Sequence, residues 1–456
     1  MNVPTSPGRL ARRFKAPFVG RMLFLAIVVG IVGGLGAVVF RYLILAFTFL
    51  FFGAQSQDVL IESVIALPWY YRILAPAIGG ALVGLIVLYG SEQVRGHGVP
   101  EVMQAMDCRD GRISPRTAPA KALASAICIG SGGATGREGP IVQIGGTFGS
   151  VVGQRFDLSV AETKVLLTAG AAAGIGGTFN APIGGMIFGL EVLLGRATKE
   201  NVPPIAVASI VGTVMANVII GMPEPIFSVP GIEVVSYFEV VAYLGLGIVG
   251  AVVALTYITT LYSVEAAFDR LPVGVAASPA LGGLCLGVLA LYVPQVHATG
   301  YPVIQDTLFG VFSLEILILF GIAKLIATSL TLGSGGSGGI FAPALFIGAM
   351  AGGAYGMFVR DVFPSLVADP TTYAAVGMGT VFAGAAHAPL TAIVIVYELT
   401  GDPLILAPLA IACLFSTALV RRVREQNIYT IGLLERGVDV EPRRLLSTAW
   451  KAVRGK

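Results

Sequence analysis

The chain has 456 residues, of which 55% are hydrophobic and only 12% charged, with a mean hydropathy of +0.84. Soluble domains carry about 25% charged residues, so this composition excludes an ordinary soluble protein and points to a polytopic membrane protein. The net charge of +3 is too small to argue for a nucleic-acid partner, and 60 glycines and 26 prolines suit membrane helices.

Arg9, Arg12, Arg13, Lys15 and Arg21 precede an apolar run from Met22 to Phe52. That run is too long for a signal-peptide core of about 7–15 residues, so it reads as a long or tilted membrane helix. Further apolar segments follow at 73–90, 118–130, 141–154, 160–178, 183–194, 204–221, 238–261, 275–293, 312–332, 341–359, 371–385, 388–399 and 403–420. Several are too short to cross about 30 Å of hydrocarbon, and glycine and proline break them repeatedly. Broken segments in corresponding halves point to a transport site near mid-membrane. Trp69, Tyr70 and Tyr71 suit a membrane interface. The C-terminal side carries Arg421, Arg422, Arg424, Arg436, Arg443, Arg444 and Lys451, so both termini are expected in the cytoplasm. Cys108, Cys128, Cys285 and Cys413 are scattered singly and read as packing residues; no metal or other cofactor is expected.

The two halves align. GSGGATGREGPIVQIGG from Gly130 matches GSGGSGGIFAPALFIGA from Gly333 without a gap, placing Gly136 on Gly339 and Pro140 on Pro343. NAPIGGMIFGLEV from Asn180 matches HAPLTAIVIVYEL from His387, placing Glu191 on Glu398. Two matched blocks in the same order indicate a duplicated half. The expected organisation is a segment 1–20, a first repeat 21–225, a linker 226–234, a second repeat 235–430 and a tail 431–456.

Three places share the form G-x-x-x-P: GHGVP at 96–100, GREGP at 136–140 and GIFAP at 339–343. Each precedes a helix-competent stretch, and proline suits a first helical turn. A helix start presents unpaired N–H groups and a partial positive charge. Three such starts converging inside the membrane would hold an anion without a fixed cation. Glu138 within GREGP has two readings. It is an intramembrane carboxylate occupying the place of a transported anion, and so a gate, or it is a wet surface residue paired with Arg137.

Together these stretches resemble the CLC family of chloride channels and proton-coupled chloride exchangers, in its bacterial membrane-domain form. The family shows GSGIP, GREGP and GxFxP motifs and a later tyrosine; here GHGVP, GREGP and GIFAP occur in that order, and QNIYTIGLLERG supplies Tyr429. Lys121 matches a lysine of the family's fourth helix. The resemblance covers about 20–435. It implies an all-α polytopic fold of two inverted repeats of tilted, broken helices, in an inner membrane. It implies a homodimer in the bilayer, with chloride or a similar small anion as the transported ligand. It also implies Glu138 as the gate, anion coordination by the amides of Ile340 and Phe341 and the hydroxyl of Tyr429, and an outer position served by amides near Gly136, Arg137 and Gly139. Many members continue into paired CBS modules; none is expected here.

Two departures matter. The serine of GSGIP is His97, which either lines the inner anion path and makes conduction pH-dependent or turns away. Exchangers carry a second, proton-handling glutamate directly after the one matched by Glu191; that position is Val192, which cannot carry a proton. Passive anion conduction is therefore the expected activity, with proton-coupled exchange the alternative. Glu191 and Glu398 read as structural, capping or pairing near helix ends, and His297 and His387 as incidental. A sodium-coupled transporter of small substrates would leave GREGP and GIFAP unexplained. An intramembrane serine protease would need a serine and base held together; Ser131, Ser334 and Ser337 lie in glycine-rich repeats without a GxSxG elbow.

Overall fold

Every apolar run expected above forms a helix, and glycine or proline stands at many of the boundaries between them. The computed structural model describes residues 16–90, 94–221, 225–231, 236–237, 239–365 and 367–438. The basic residues before Ala16, part of the 226–234 linker and the tail beyond Val438 lie outside the described residues.

The first half contains α1 (Ala16–Phe52), α2 (Leu60–Ala66), α3 (Trp69–Tyr89), α4 (Val99–Cys108), α5 (Thr117–Gly130), α6 (Glu138–Arg155), α7 (Val160–Phe179), α8 (Pro182–Phe188) and α9 (Val202–Ile220). A π-helical turn, Gly189–Leu194, extends α8. The second half contains α10 (Glu239–Asp269), α11 (Ser278–Tyr292), α12 (Tyr301–Leu308), α13 (Leu314–Gly333), α14 (Phe341–Val362), α15 (Pro370–Ala386), α16 (Pro389–Thr400), α17 (Leu406–Val423) and α18 (Ile431–Glu435). The short helices α2, α4, α12 and α18 were not among the expected apolar segments, because five to ten residues carry too little apolar periodicity to stand out. Among the described residues there is no strand, and seven helices are long and apolar enough to cross a membrane. Proline sits in the first turn of α4, α8, α9, α11, α12, α15 and α16, where its missing N–H leaves no bond unmade.

Helices α4 to α8 correspond in order to α12 to α16, and the correspondence is geometric as well as sequential. α7 and α15 end on Asn180 and His387, both left-handed, with φ of 54° and 55°. Lys121 on α5 donates to the carbonyls of Val94 (2.9 Å) and Gly96 (2.7 Å); Lys324 on α13 donates to those of Val296 (2.8 Å) and Ala298 (2.7 Å). Both lysines are fully buried, so each ammonium is compensated by tying down a loop. α6 packs on α7 through Gly145 and Gly170, and α14 on α15 through Gly348 and Gly377. At each of these positions a Cβ would collide with the opposing carbonyl, so only glycine lets the backbones approach this closely.

The two halves meet on an approximate two-fold axis. Gly136 N–H donates to Gly339 O at 2.8 Å and Gly339 N–H returns the bond to Gly136 O at 2.6 Å. Equivalent residues can exchange bonds reciprocally only where the axis passes between them. The carboxylates confirm the exchange. Glu191 accepts from the amides of Leu390 (3.2 Å) and Thr391 (2.7 Å) at the start of α16, and Glu398 accepts from those of Ile183 (3.0 Å) and Gly184 (2.6 Å) at the start of α8. Both glutamates cap helices, as expected, but each caps the other half's helix.

Candidate anion pathway

The site lies along this axis, where four loops converge. Three are the G-x-x-x-P loops. The fourth, Ala298-Thr299-Gly300-Tyr301-Pro302, is the second-half equivalent of GHGVP. Its backbone repeats the same turn: Ala298 and Gly300 have φ of 50° and 78°, against 80° and 86° for Gly96 and Gly98. A search for glycine four residues before proline misses it, because alanine holds the first left-handed position.

Three cavities run in series through these loops. A wide one of ≈ 620 Å³ is lined by Arg41, Gln57, Asp58, Arg137, Tyr301 and Gln305. A central pocket of ≈ 10 Å³ is lined by Glu138, Gly139, Ile340, Phe341, Tyr429 and His97, room for about one small sphere. A third, of ≈ 20 Å³, is lined by His97, Arg95, Glu101, Tyr262, Glu265 and Arg436. Pro100 lines the third cavity and its equivalent Pro302 the first. The two-fold therefore exchanges the ends of the path, which makes the repeats inverted with respect to it.

Glu138 lines the central pocket, and its carboxylate bonds to Tyr301 on the wall of the wide cavity. It is 3% exposed, so the reading of a wet surface residue fails. Tyr301 Oη donates to its Oε1 at 2.6 Å, and Ala342 N–H, in the first turn of α14, donates to Oε2 at 3.4 Å. A Cβ on Gly136 would overlap Oε2, so that glycine leaves room for the carboxylate. Arg137 faces the wide cavity instead. Its guanidinium carbon lies 5.2 Å from the centroid of the Tyr301 ring, and Nη2 reaches Thr178 O at 3.4 Å.

Of the residues singled out from the sequence, His97, Glu138, Gly139, Ile340, Phe341 and Tyr429 come together around the central pocket. Gly136 does not offer its amide there, because that N–H is bonded to Gly339 O; it positions the loop. His97 does not turn away: it is 7% exposed, lines both the central and third cavities, and stands edge-on to Tyr262 with ring centroids 6.4 Å apart. Val192 sits on the π-helical turn within the apolar core, 5% exposed. The sequence reading missed Tyr301 and Lys324. Extending the gapless repeat alignment back from Gly333 would have placed Lys324 on Lys121; nothing local marks Tyr301. Among the described residues no cluster fit for a metal occurs, and all four cysteines are free.

The sequence model of the family described as voltage gated chloride channel matches residues 79–421. A ClcB-like protein of Ralstonia nicotianae is 32% identical over 416 residues, covering 90% of this chain and 96% of its own. The voltage-gated ClC-type chloride channel ClcB of Escherichia coli is 30% identical over 411 residues, covering 90% and 98%. Among solved structures, a slow cyanobacterial Cl−/H+ antiporter superposes with a TM-score of 0.82 at 26% identity, covering 91% of this chain and 98% of its own. A CLC-type fluoride/proton antiporter superposes at 0.74 and 21% identity, covering 93% and 98%, a likeness of fold. With its family motifs, its inverted repeats and relatives matched along nine-tenths of its length, the chain belongs to the voltage gated chloride channel family, CLC, whose members move chloride across membranes.

Proposed function

We propose that the protein conducts chloride passively, with Glu138 as the gate. The observation that carries this is the position of one carboxylate: it lines the central pocket, bonds to Tyr301 on the wall of the wide cavity and takes an amide at the start of α14. An anion at that helix start would use the same donors, so anion and carboxylate compete. When the carboxylate leaves, the Ile340 and Phe341 amides and the Tyr429 hydroxyl become the central anion position, with the amides of Arg137 and Gly139 nearer the wide cavity. The pathway reads as a pore without a full positive charge at its centre, which lets the ion leave again. Two such subunits side by side, each with its own path and both termini in the cytoplasm, complete the proposal.

Passive conduction is favoured by Val192, an apolar side chain where a proton carrier would stand. In vesicles loaded with chloride and clamped with a potassium ionophore, chloride is expected to leave without moving external pH. Uphill proton movement driven by a chloride gradient would instead establish the exchanger. One observation favours that second reading: the third cavity carries two carboxylates, Glu101 and Glu265, beside His97.

His97 is the residue we assign to selectivity. Lys121 Nζ rests on Gly96 O at 2.7 Å, directly before it, and Arg436 shares its cavity. The imidazole can donate to an anion through one ring nitrogen. His97→Ser is expected to change the ratio of nitrate to chloride flux several-fold. Equal ratios in variant and wild type would remove His97 from the selectivity step.

A further inference from the structure

We propose that Tyr301 is the latch of the gate: its hydroxyl holds the Glu138 carboxylate across the path, and breaking that bond is the step that opens it. This rests on the reading of Glu138 as the gate. The two bonds to the carboxylate are unequal. The one from Tyr301 is 2.6 Å, in the range of a charge-assisted O–H···O− bond, whereas the one from Ala342 N–H is 3.4 Å, at the weak limit. The phenol therefore dominates the closed position.

The surroundings fix the phenol where the carboxylate needs it. Arg137 lies over its ring at 5.2 Å, and Phe227 meets it edge-on with centroids 5.6 Å apart. The loop before it is pinned by Lys324 through the carbonyls of Val296 and Ala298, and its two left-handed residues set the angle at which α12 begins. The repeat supplies a comparison. The first-half equivalent of Tyr301 is Val99, which has no hydroxyl, just as the second-half equivalent of Glu138 is Phe341. Gate and latch are thus a pair of additions to one frame, one from each half, meeting across the axis. The wide cavity reaches Tyr301 and Arg137, so an anion arriving there meets the latch before the gate.

The groups facing Glu138 are Arg137 at the start of its own helix, His97 before α4, Tyr301 on α12, Lys324 on α13, Tyr257 on α10 and Tyr429 before α18. Tyr301 and the Ala342 amide are those that bond to it directly. Loss of a donor to the charged carboxylate favours its neutral form.

Tyr301→Phe keeps the ring and its neighbours and deletes only the hydroxyl. Chloride efflux from vesicles is expected to rise about tenfold at neutral pH, the equivalent of ~1.4 kcal/mol, and the midpoint of acid activation is expected to move to higher pH. The same substitution made in Glu138→Ala is expected to change flux less than about twofold, because the latch then has nothing to hold. Flux through that double variant also shows that the substituted chain folds. If Glu138→Ala opens the path but Tyr301→Phe behaves as wild type, the latch is wrong and the gate stands. Equal fold-changes in both backgrounds overturn the latch as well, since Tyr301 would then touch the anion itself. If Glu138→Ala leaves flux unchanged, the gate reading fails and the latch falls with it.

Discussion

Glu138→Gln is expected to raise chloride flux at neutral pH by about tenfold or more and to flatten its dependence on pH. The carboxamide has nearly the shape of the carboxylate, so the substitution tests charge and leaves packing alone. In the wild type, the Glu138 carboxyl group accepts from Tyr301 Oη and the Ala342 N–H, and on the proposed reading these are donors to a charged acceptor. Such bonds contribute ~1.5–3 kcal/mol each against ~1 for neutral ones. Replacing the charged acceptor by a neutral one, and setting an NH2 group near the Ala342 N–H, removes one to two powers of ten from the closed population. A carboxamide does not titrate, so acid no longer opens the path. The measurement is efflux from vesicles across a range of pH. A variant that keeps the wild-type acid activation would show that the titrating group lies elsewhere, with Glu265 at the third cavity the first to examine.

The frame of the site was legible in the sequence because it is built from backbone turns, and turns leave glycine and proline behind. GHGVP, GREGP and GIFAP marked three of the four loops, and the gapless repeat placed Gly136 on Gly339 before their reciprocal bonds were seen. The fourth loop was hidden by one substitution: Ala298 holds a left-handed φ of 50° that glycine usually marks. Tyr301 left no trace, because its contact with Glu138 joins residues 163 apart through tertiary packing. A tyrosine before a proline looks the same whether its hydroxyl meets lipid, water or a carboxylate. His97 shows the opposite limit. It was legible as a departure within GHGVP, but only the fold shows that it borders both the central and the third cavity.

The crossed caps give the largest expected effect on stability. Glu191 is 5% exposed and accepts from Leu390 N, Thr391 N and Thr391 Oγ1, the last two both at 2.7 Å. Glu191→Ala leaves these donors without an acceptor inside the protein, at ~1–3 kcal/mol for each group left unmet, so a loss of about 3 kcal/mol or more is expected. Glu398→Ala removes two amide bonds at a half-buried position whose neighbour Ile183 is 50% exposed. Surrounding groups compensate more easily there, and about 1–2 kcal/mol is expected. Thermal unfolding in detergent orders them: Glu191→Ala lowest, Glu398→Ala intermediate, wild type highest. Glu191→Gln should recover part of the loss, since its remaining oxygen still accepts from the Thr391 amide. The caps also reach the path, because Phe188 at the end of α8 and Ile395 on α16 line the central pocket. Loosening either helix start moves that wall, so Glu191→Ala should lower chloride flux along with stability. If it unfolds at the wild-type temperature, the two repeats are held together at the axis by the Gly136–Gly339 pairing and helix packing, and the carboxylates serve only to fill the ends of α8 and α16.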